Sequence, residues 1–267
     1  MTFTFDIKKA ISSKKLLNKN EKARIVYKNN CSYSNYIGNC TNLYRLLKPV
    51  NYIDFYNKQQ SYAEKNKNSL SITDRGPTCD EFVFLAQKYK RLVEEKTNLN
   101  YDLETYFQCL LCHVFIETFI GQHKETLIKN YIKRKGFELK EIEGKKDAKY
   151  HIDIVVKNKS NDGYFCIQVK PISFFLSKYE DTQYDRIEHI ITHLSLYRKY
   201  NIPTYYIIYK INEQTSEFKF LTQENGKLLF QTKDLFEFNE KDIKSTLKVK
   251  KIPTKTVVLN ESNSCYV

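Results

Sequence analysis

The sequence has no apolar run approaching the length of a membrane span. Its first residues, Met1-Thr2-Phe3-Thr4-Phe5-Asp6, lack the basic start and apolar stretch of a secretory leader. Together these absences argue against a membrane or exported protein and set the expectation of a soluble, cytoplasmic one. No glycine-rich phosphate loop is present, which argues against nucleotide-driven translocation by this chain. Internal repeats and long linkers are also missing.

The cysteines form no disulfide framework. Seven of them (31, 40, 79, 109, 112, 166 and 265), odd in number and unevenly spaced, fit free thiols in a reducing compartment. Cys109-Leu110-Leu111-Cys112-His113 spells a c-type haem attachment pattern, but attachment requires export. A structural zinc would need a second ligand pair, and Cys31 and Cys40 are poorly spaced to supply one. Both helical cysteines are therefore expected as small hydrophobes, with no cofactor bound there.

What the chain does have is length and positive charge. Its 267 residues suit one large domain, or a catalytic domain with an attached recognition part, and can bury a core without staples. Lysine and arginine outnumber the acids 44 to 31, for a formal net charge of +13. A polyanion partner is the first functional reading of that surplus. Abundant lysine, asparagine, isoleucine and tyrosine also mark chains with AT-rich coding bias, so charge alone does not identify a ligand.

Residues 1–30 hold Lys8, Lys9, Lys14, Lys15, Lys19, Lys22, Arg24 and Lys28 with few acids, as in a basic arm or a solvated helix face. Tyr33, Tyr36, Tyr44, Tyr52, Tyr56 and Tyr62 follow; amphipathic packing is the favoured reading over stacking on bases. After the turn at Arg75–Thr78, Thr78 or Asp80 caps a predicted helix to about Lys96, with Phe82, Leu85, Tyr89 and Leu92 as its stripe. A second apolar helix is predicted over 102–120, and a third from near Gln122 to Gly136, a C′ glycine behind Lys133, Arg134 and Lys135. The period then changes to two. Strands are predicted at 137–143, 150–157, 164–170, 204–209, 217–222 and 227–232, with a helix at 183–200 and a loose polar tail at Asn260–Ser264.

One constellation carries chemistry. Gln168 and Lys170, two apart on a strand, share a face, while Ile167 and Val169 face away. A hairpin turning at Ser160–Asn161 pairs residues so that Asp153 lies across from Gln168. Glu125 stands at helical spacing with Ile128 and Ile132, on the stripe that should face the sheet, where a carboxylate needs a task. Such a set suits Mg²⁺, which takes oxygen ligands and keeps several waters. Expected ligands are the Asp153 carboxylate, the Gln168 side-chain carbonyl, the Val169 backbone carbonyl and Glu125, the last directly, through water or at a second metal. Lys170 is expected beside an attacking water or the phosphorane charge. His189 and His193, on the helix at 183–200, are candidates for phosphate contact, their more ordinary role being a satisfied, partly buried histidine.

These residues resemble the PD-(D/E)XK nuclease superfamily over about 122–210. The resemblance runs through an acid on a helix (Glu125), a helix-ending glycine (Gly136), Asp153 on a strand, the hairpin to Gln168-x-Lys170, a helix and a further strand. Ile152 stands where the motif has proline, and Gln168 where it usually has an acid, removing one negative charge. The resemblance implies an α/β fold with a restriction-endonuclease-like core, a mixed central sheet flanked by helices, and a mainly helical N-terminal part. It implies recognition and dimerisation by 1–100, catalysis by 101–212, and C-terminal strands and a tail over 213–267. It further implies a Mg²⁺-dependent endonuclease acting on double-stranded DNA, most like a type II restriction enzyme. Such an enzyme works as a homodimer and has a cognate DNA methyltransferase as its system partner. A Holliday-junction resolvase or repair nuclease of the same core, or a DNA-binding protein with a decayed site, are the alternatives.

Overall fold

The computed structural model describes residues 3–140, 149–157, 163–176, 180–215, 217–222, 227–231 and 255–258. They form a mixed α/β protein of two compact units, residues 1–123 with 213–216, and residues 124–212 with 217–267.

Helices build the first unit: α1 (Ile7–Asn18), α2 (Glu21–Asn30), α3 (Ser34–Ile37), α4 (Cys40–Leu47), α5 (Tyr52–Lys65), α6 (Ile72–Arg75), α7 (Cys79–Lys96) and α8 (Leu103–Leu111). Their starts are written in the local sequence. Asp6, Asn20, Asn39, Asn51 and Asp102 each accept a backbone N–H of the first turn. Thr78 and Glu81 complete a reciprocal capping box on α7. Inside, Tyr52, Phe55, Phe82, Tyr89, Tyr106, Phe107, Phe115 and Phe119 are fully buried. Ring pairs such as Phe55–Phe115 (5.2 Å, near-perpendicular) and Tyr52–Phe119 (5.2 Å) interlock edge to face. The packing reading of the tyrosines holds for Tyr44 and Tyr52, which are buried, and for Tyr36, Tyr56 and Tyr62, which pack at the core edge; Tyr33 is exposed.

The two helices predicted over 102–120 and from Gln122 are one. α8 passes through a π-helical turn (Cys112–Glu117) into α9 (Thr118–Arg134) without a break, and Gly121 lies inside it. Among the described residues, this 32-residue helix is the one candidate for a membrane span. By length and composition it qualifies, yet 61 % of its most apolar stretch is buried within the protein, as in the core helix of a soluble fold. Cys109 and Cys112 are part of that buried face, and burial pushes the Cys112 thiol up to about 12. The helix stops as its sequence predicts. Gly136 takes φ +82°, its N–H bonds to Lys133 O, and Phe137 N–H reaches back to Ile132 O, a Schellman closure.

In the second unit β1 (Glu138–Lys140), β2 (Ile154–Lys157) and β3 (Tyr164–Pro171) form an antiparallel meander. Helices α10 (Ile172–Leu176) and α11 (Glu180–Tyr200) then cross over to β4 (Thr204–Asn212), which pairs parallel to β3. Antiparallel β5 (Glu217–Thr222) and β7 (Lys255–Val258) extend the sheet, and β6 (Phe230–Gln231) pairs with the start of β4, so the order is β1-β2-β3-β4-β5-β7. Three strand expectations are corrected. Lys149 and Tyr150 are helical and β2 begins only at Ile154; within 227–231 only Phe230 and Gln231 pair; and β7 lies in a stretch where no strand is predicted. Residues 141–143, the turn at 158–162, residue 232 and the tail at 260–264 lie outside the described residues. One core cluster of this unit gathers Phe175, Ile190, Tyr206, Ile208, Leu221 and Phe230; a smaller one holds Ile152, Cys166 and Leu196. Both include residues of α11, which therefore covers the sheet face carrying Cys166, Tyr206 and Ile208.

Candidate active site

Strand β3 is the spine of the site. Its ladder with β2 pairs Ile154 with Ile167 and Val156 with Phe165. That is the β2–β3 register the hairpin arithmetic expects, and Asp153 stands one residue before its first pair. Asp153 is held twice: its N–H donates to Ile167 O at 3.1 Å, and its carboxylate Oδ2 accepts the Val169 N–H at 2.6 Å. A charge-assisted bond this short fixes the carboxylate's direction. Val169 thus enters the site through its amide, while its side chain is fully buried on the other face.

Gln168 is 4 % exposed, and its Oε1 has no hydrogen-bond partner among the described residues. Leaving a buried carbonyl unpaired costs about 1–3 kcal/mol. A buried oxygen in that state fits a cation. Glu125, on α9, is half-buried, one turn before the buried Ile128 and two before Ile132, and pairs with Lys129 at 3.4 Å. Burial first, and then the negative charge of Asp153, push its carboxyl above the usual carboxylate range. Both oxygens and charges accordingly favour a shared positive ion.

Lys170 is half-buried, and burial draws its ammonium below the usual lysine range against the opposing pull of Asp153. Its Nζ lies 4.7 Å from the Phe174 ring centroid and 3.5 Å from His189 Nε2, to which it donates. His189 therefore carries its proton on Nδ1, a buried atom with no partner among the described residues. Burial, then the Lys170 charge, pull its pKa to about 3, so the ring is neutral. His193 has the satisfied role sequence assigns it. It is 2 % exposed, its Nε2–H donates to His151 O at 3.1 Å, and its Nδ1 accepts the Tyr206 hydroxyl at 2.9 Å. Its pKa falls to about 4, chiefly through burial.

Sequence reasoning missed two participants. His151 lies in a stretch predicted as strand, yet takes a left-handed φ of +52° and stacks on His189 at 4.0 Å. Tyr206 pairs with Gln168 across the β3–β4 ladder. A parallel register is not set by a turn, so nothing in the sequence aligned the two.

Among the described residues no three His, Cys, Asp or Glu side chains make a metal-holding group by themselves. The available donors are two carboxylates, an amide oxygen and backbone carbonyls, an all-oxygen set that suits Mg²⁺ rather than Zn²⁺. No protein-family model, curated protein or solved structure matches this chain.

Proposed function

We propose that the protein is a Mg²⁺-dependent endonuclease of double-stranded DNA with a PD-(D/E)XK-like, restriction-endonuclease-like core, working as a sequence-specific type II enzyme. The observation that carries this reading is the buried Oε1 of Gln168, unpaired among the described residues, on the strand whose Val169 amide pins the Asp153 carboxylate, with Lys170 two residues on. The order α9, three antiparallel strands, α11 and the parallel β4 supports it.

In this reading Asp153, Gln168 Oε1, the Val169 carbonyl and Glu125 hold the ion. When bound, Mg²⁺ lowers the pKa of a coordinated water and offsets charge on the scissile phosphate. Lys170 places its ammonium where negative charge grows on the phosphoryl oxygens, and its partial burial strengthens that attraction. The neutral His189 accepts one Lys170 proton in a hydrogen bond and so aims the ammonium without competing for the anion. Recognition falls to the N-terminal part: residues 1–100 hold eighteen Lys and Arg against nine Asp and Glu, most of the chain's surplus. That concentration favours an enzyme with a separate DNA-reading part over a bare-core junction resolvase. A twofold dimer cutting a palindromic site, partnered by a methyltransferase that protects it, completes the proposal.

Purified protein is incubated with plasmid and branched DNA in Mg²⁺. Discrete plasmid fragments are expected, with cleavage reduced at least about a hundredfold in folded Asp153→Ala and Lys170→Ala. Cutting of branched substrates alone would reassign the enzyme to resolution. Tight DNA binding without cutting would mark a decayed site, and full activity in either variant would remove those residues from the chemistry.

A further inference from the structure

We propose that His193 is a positioning residue that fixes the Asp153 carboxylate by tying down the backbone two residues before it. This rests on the assignment of Asp153 to the candidate site above.

Asp153 stands in a bend before β2, outside the ladder that begins at Ile154. On its C-terminal side the sheet holds it. On its N-terminal side the chain reaches it through His151, which occupies left-handed backbone space that a β-carbon disfavours. Such a conformation persists where neighbours over-determine it. Here the His151 carbonyl accepts the Nε2–H of His193 at 3.1 Å, and the His151 ring stacks on His189 at 4.0 Å. His193 has no freedom to turn away. A carbonyl only accepts, so Nε2 carries the proton, Nδ1 must accept, and the Tyr206 hydroxyl supplies that donor at 2.9 Å. His193 and Tyr206 are 2 % and 0 % exposed, so water does not substitute for either bond.

The chain of connection is therefore Tyr206 hydroxyl to His193 imidazole to His151 carbonyl, then through Ile152 to Asp153, whose Oδ2 meets the Val169 N–H. Releasing His151 lets its backbone relax toward ordinary φ. The Asp153 carboxylate then turns off the Val169 amide and away from Gln168.

The Val169 amide reports this directly, without metal or DNA. Its hydrogen exchange is followed by NMR in metal-free protein, and the Mg²⁺ half-saturation of cleavage is measured alongside. In His193→Phe the Val169 amide is expected to exchange about tenfold faster or more while the amides of the β2–β3 ladder hold their rates. Half-saturating Mg²⁺ should rise about ten- to a hundredfold, with the rate at saturating metal little changed. His193→Gln, which keeps an N–H for the His151 carbonyl, should restore both. If His193→Phe is not folded, His193→Met, flexible and without a donor, takes its place. Unchanged Val169 exchange in a folded donor-free variant, or His193→Gln failing as badly as the donor-free variant, overturns the proposal. Wild-type protein that cuts no DNA while the Val169 exchange pattern holds would sink the nuclease reading and leave the tether standing.

Discussion

At the scale of single residues, the proposed metal site turns on Gln168, whose amide would serve where a second carboxylate could share the cation. Gln168 is buried and neutral, and its Oε1 is unpaired among the described residues. A third carboxylate there, beside Asp153 and the already raised Glu125, would be costly without a metal. Gln168→Glu is thus expected to bind Mg²⁺ more tightly, with half-saturation falling at least about tenfold. Its melting temperature should drop in chelator and recover when Mg²⁺ is added, as thermal unfolding with and without the ion will show. Glu125 predicts a pH effect. Because its folded pKa is raised, Glu125 favours the metal-free fold fully below about 4.5 and loses that contribution as pH rises through the raised value. Metal needs the opposite, ionised form. Cleavage should therefore fail on acidification earlier than an ordinary glutamate would dictate, and added Mg²⁺ should shift that limb to lower pH. A pH profile at two Mg²⁺ concentrations tests this; an identical limb in Glu125→Gln would assign it to another group.

At the scale of elements, caps and closures are local and were readable. Thr78, one of the two caps the sequence offers, starts α7, and Gly136 behind three basic residues announces the end of α9. The β2–β3 register was readable for the same reason, since a short hairpin sets the pairing by counting. Where two elements join without a turn, the sequence misleads. Gly121-Gln122 reads as a break, yet the helix continues through it, because one glycine costs less than the burial on either side recovers. A β-carbon built on Gly121 meets no described heavy atom within 4 Å beyond its neighbours and the backbone of its own helix. Gly121→Ala is expected to stabilise the protein by about 1 kcal/mol, measured by denaturant unfolding, since it lowers the entropy lost on folding without a clash. A loss of stability would mean that this position is not helical.

At the scale of the whole molecule, charge and chemistry are divided along the chain. Most of the basic surplus lies in the first hundred residues, and the candidate ligands lie from Glu125 to Lys170. Lys19 and Lys22, both exposed, belong to the first part. Reversing both to glutamate should weaken DNA binding at low salt and flatten the plot of log affinity against log salt by about two to four slope units, each lost lysine counting at least once. Fluorescence anisotropy across a salt series provides the measurement. An unchanged slope would place the phosphate contacts elsewhere.

By itself the sequence determined the start of α7, the stop of α9, the β2–β3 register and the shared face of Gln168 and Lys170. All of these follow from spacing along one stretch of chain. Tertiary structure alone decided that the Gln168 oxygen is left unpaired, that Lys170 meets a neutral His189, and that Tyr206 reaches His193 beneath a left-handed His151. Those depend on a parallel crossover and on burial, which bring together residues 13 to 42 positions apart. No local pattern encodes that meeting, because its register is set by packing across the sheet rather than by a turn.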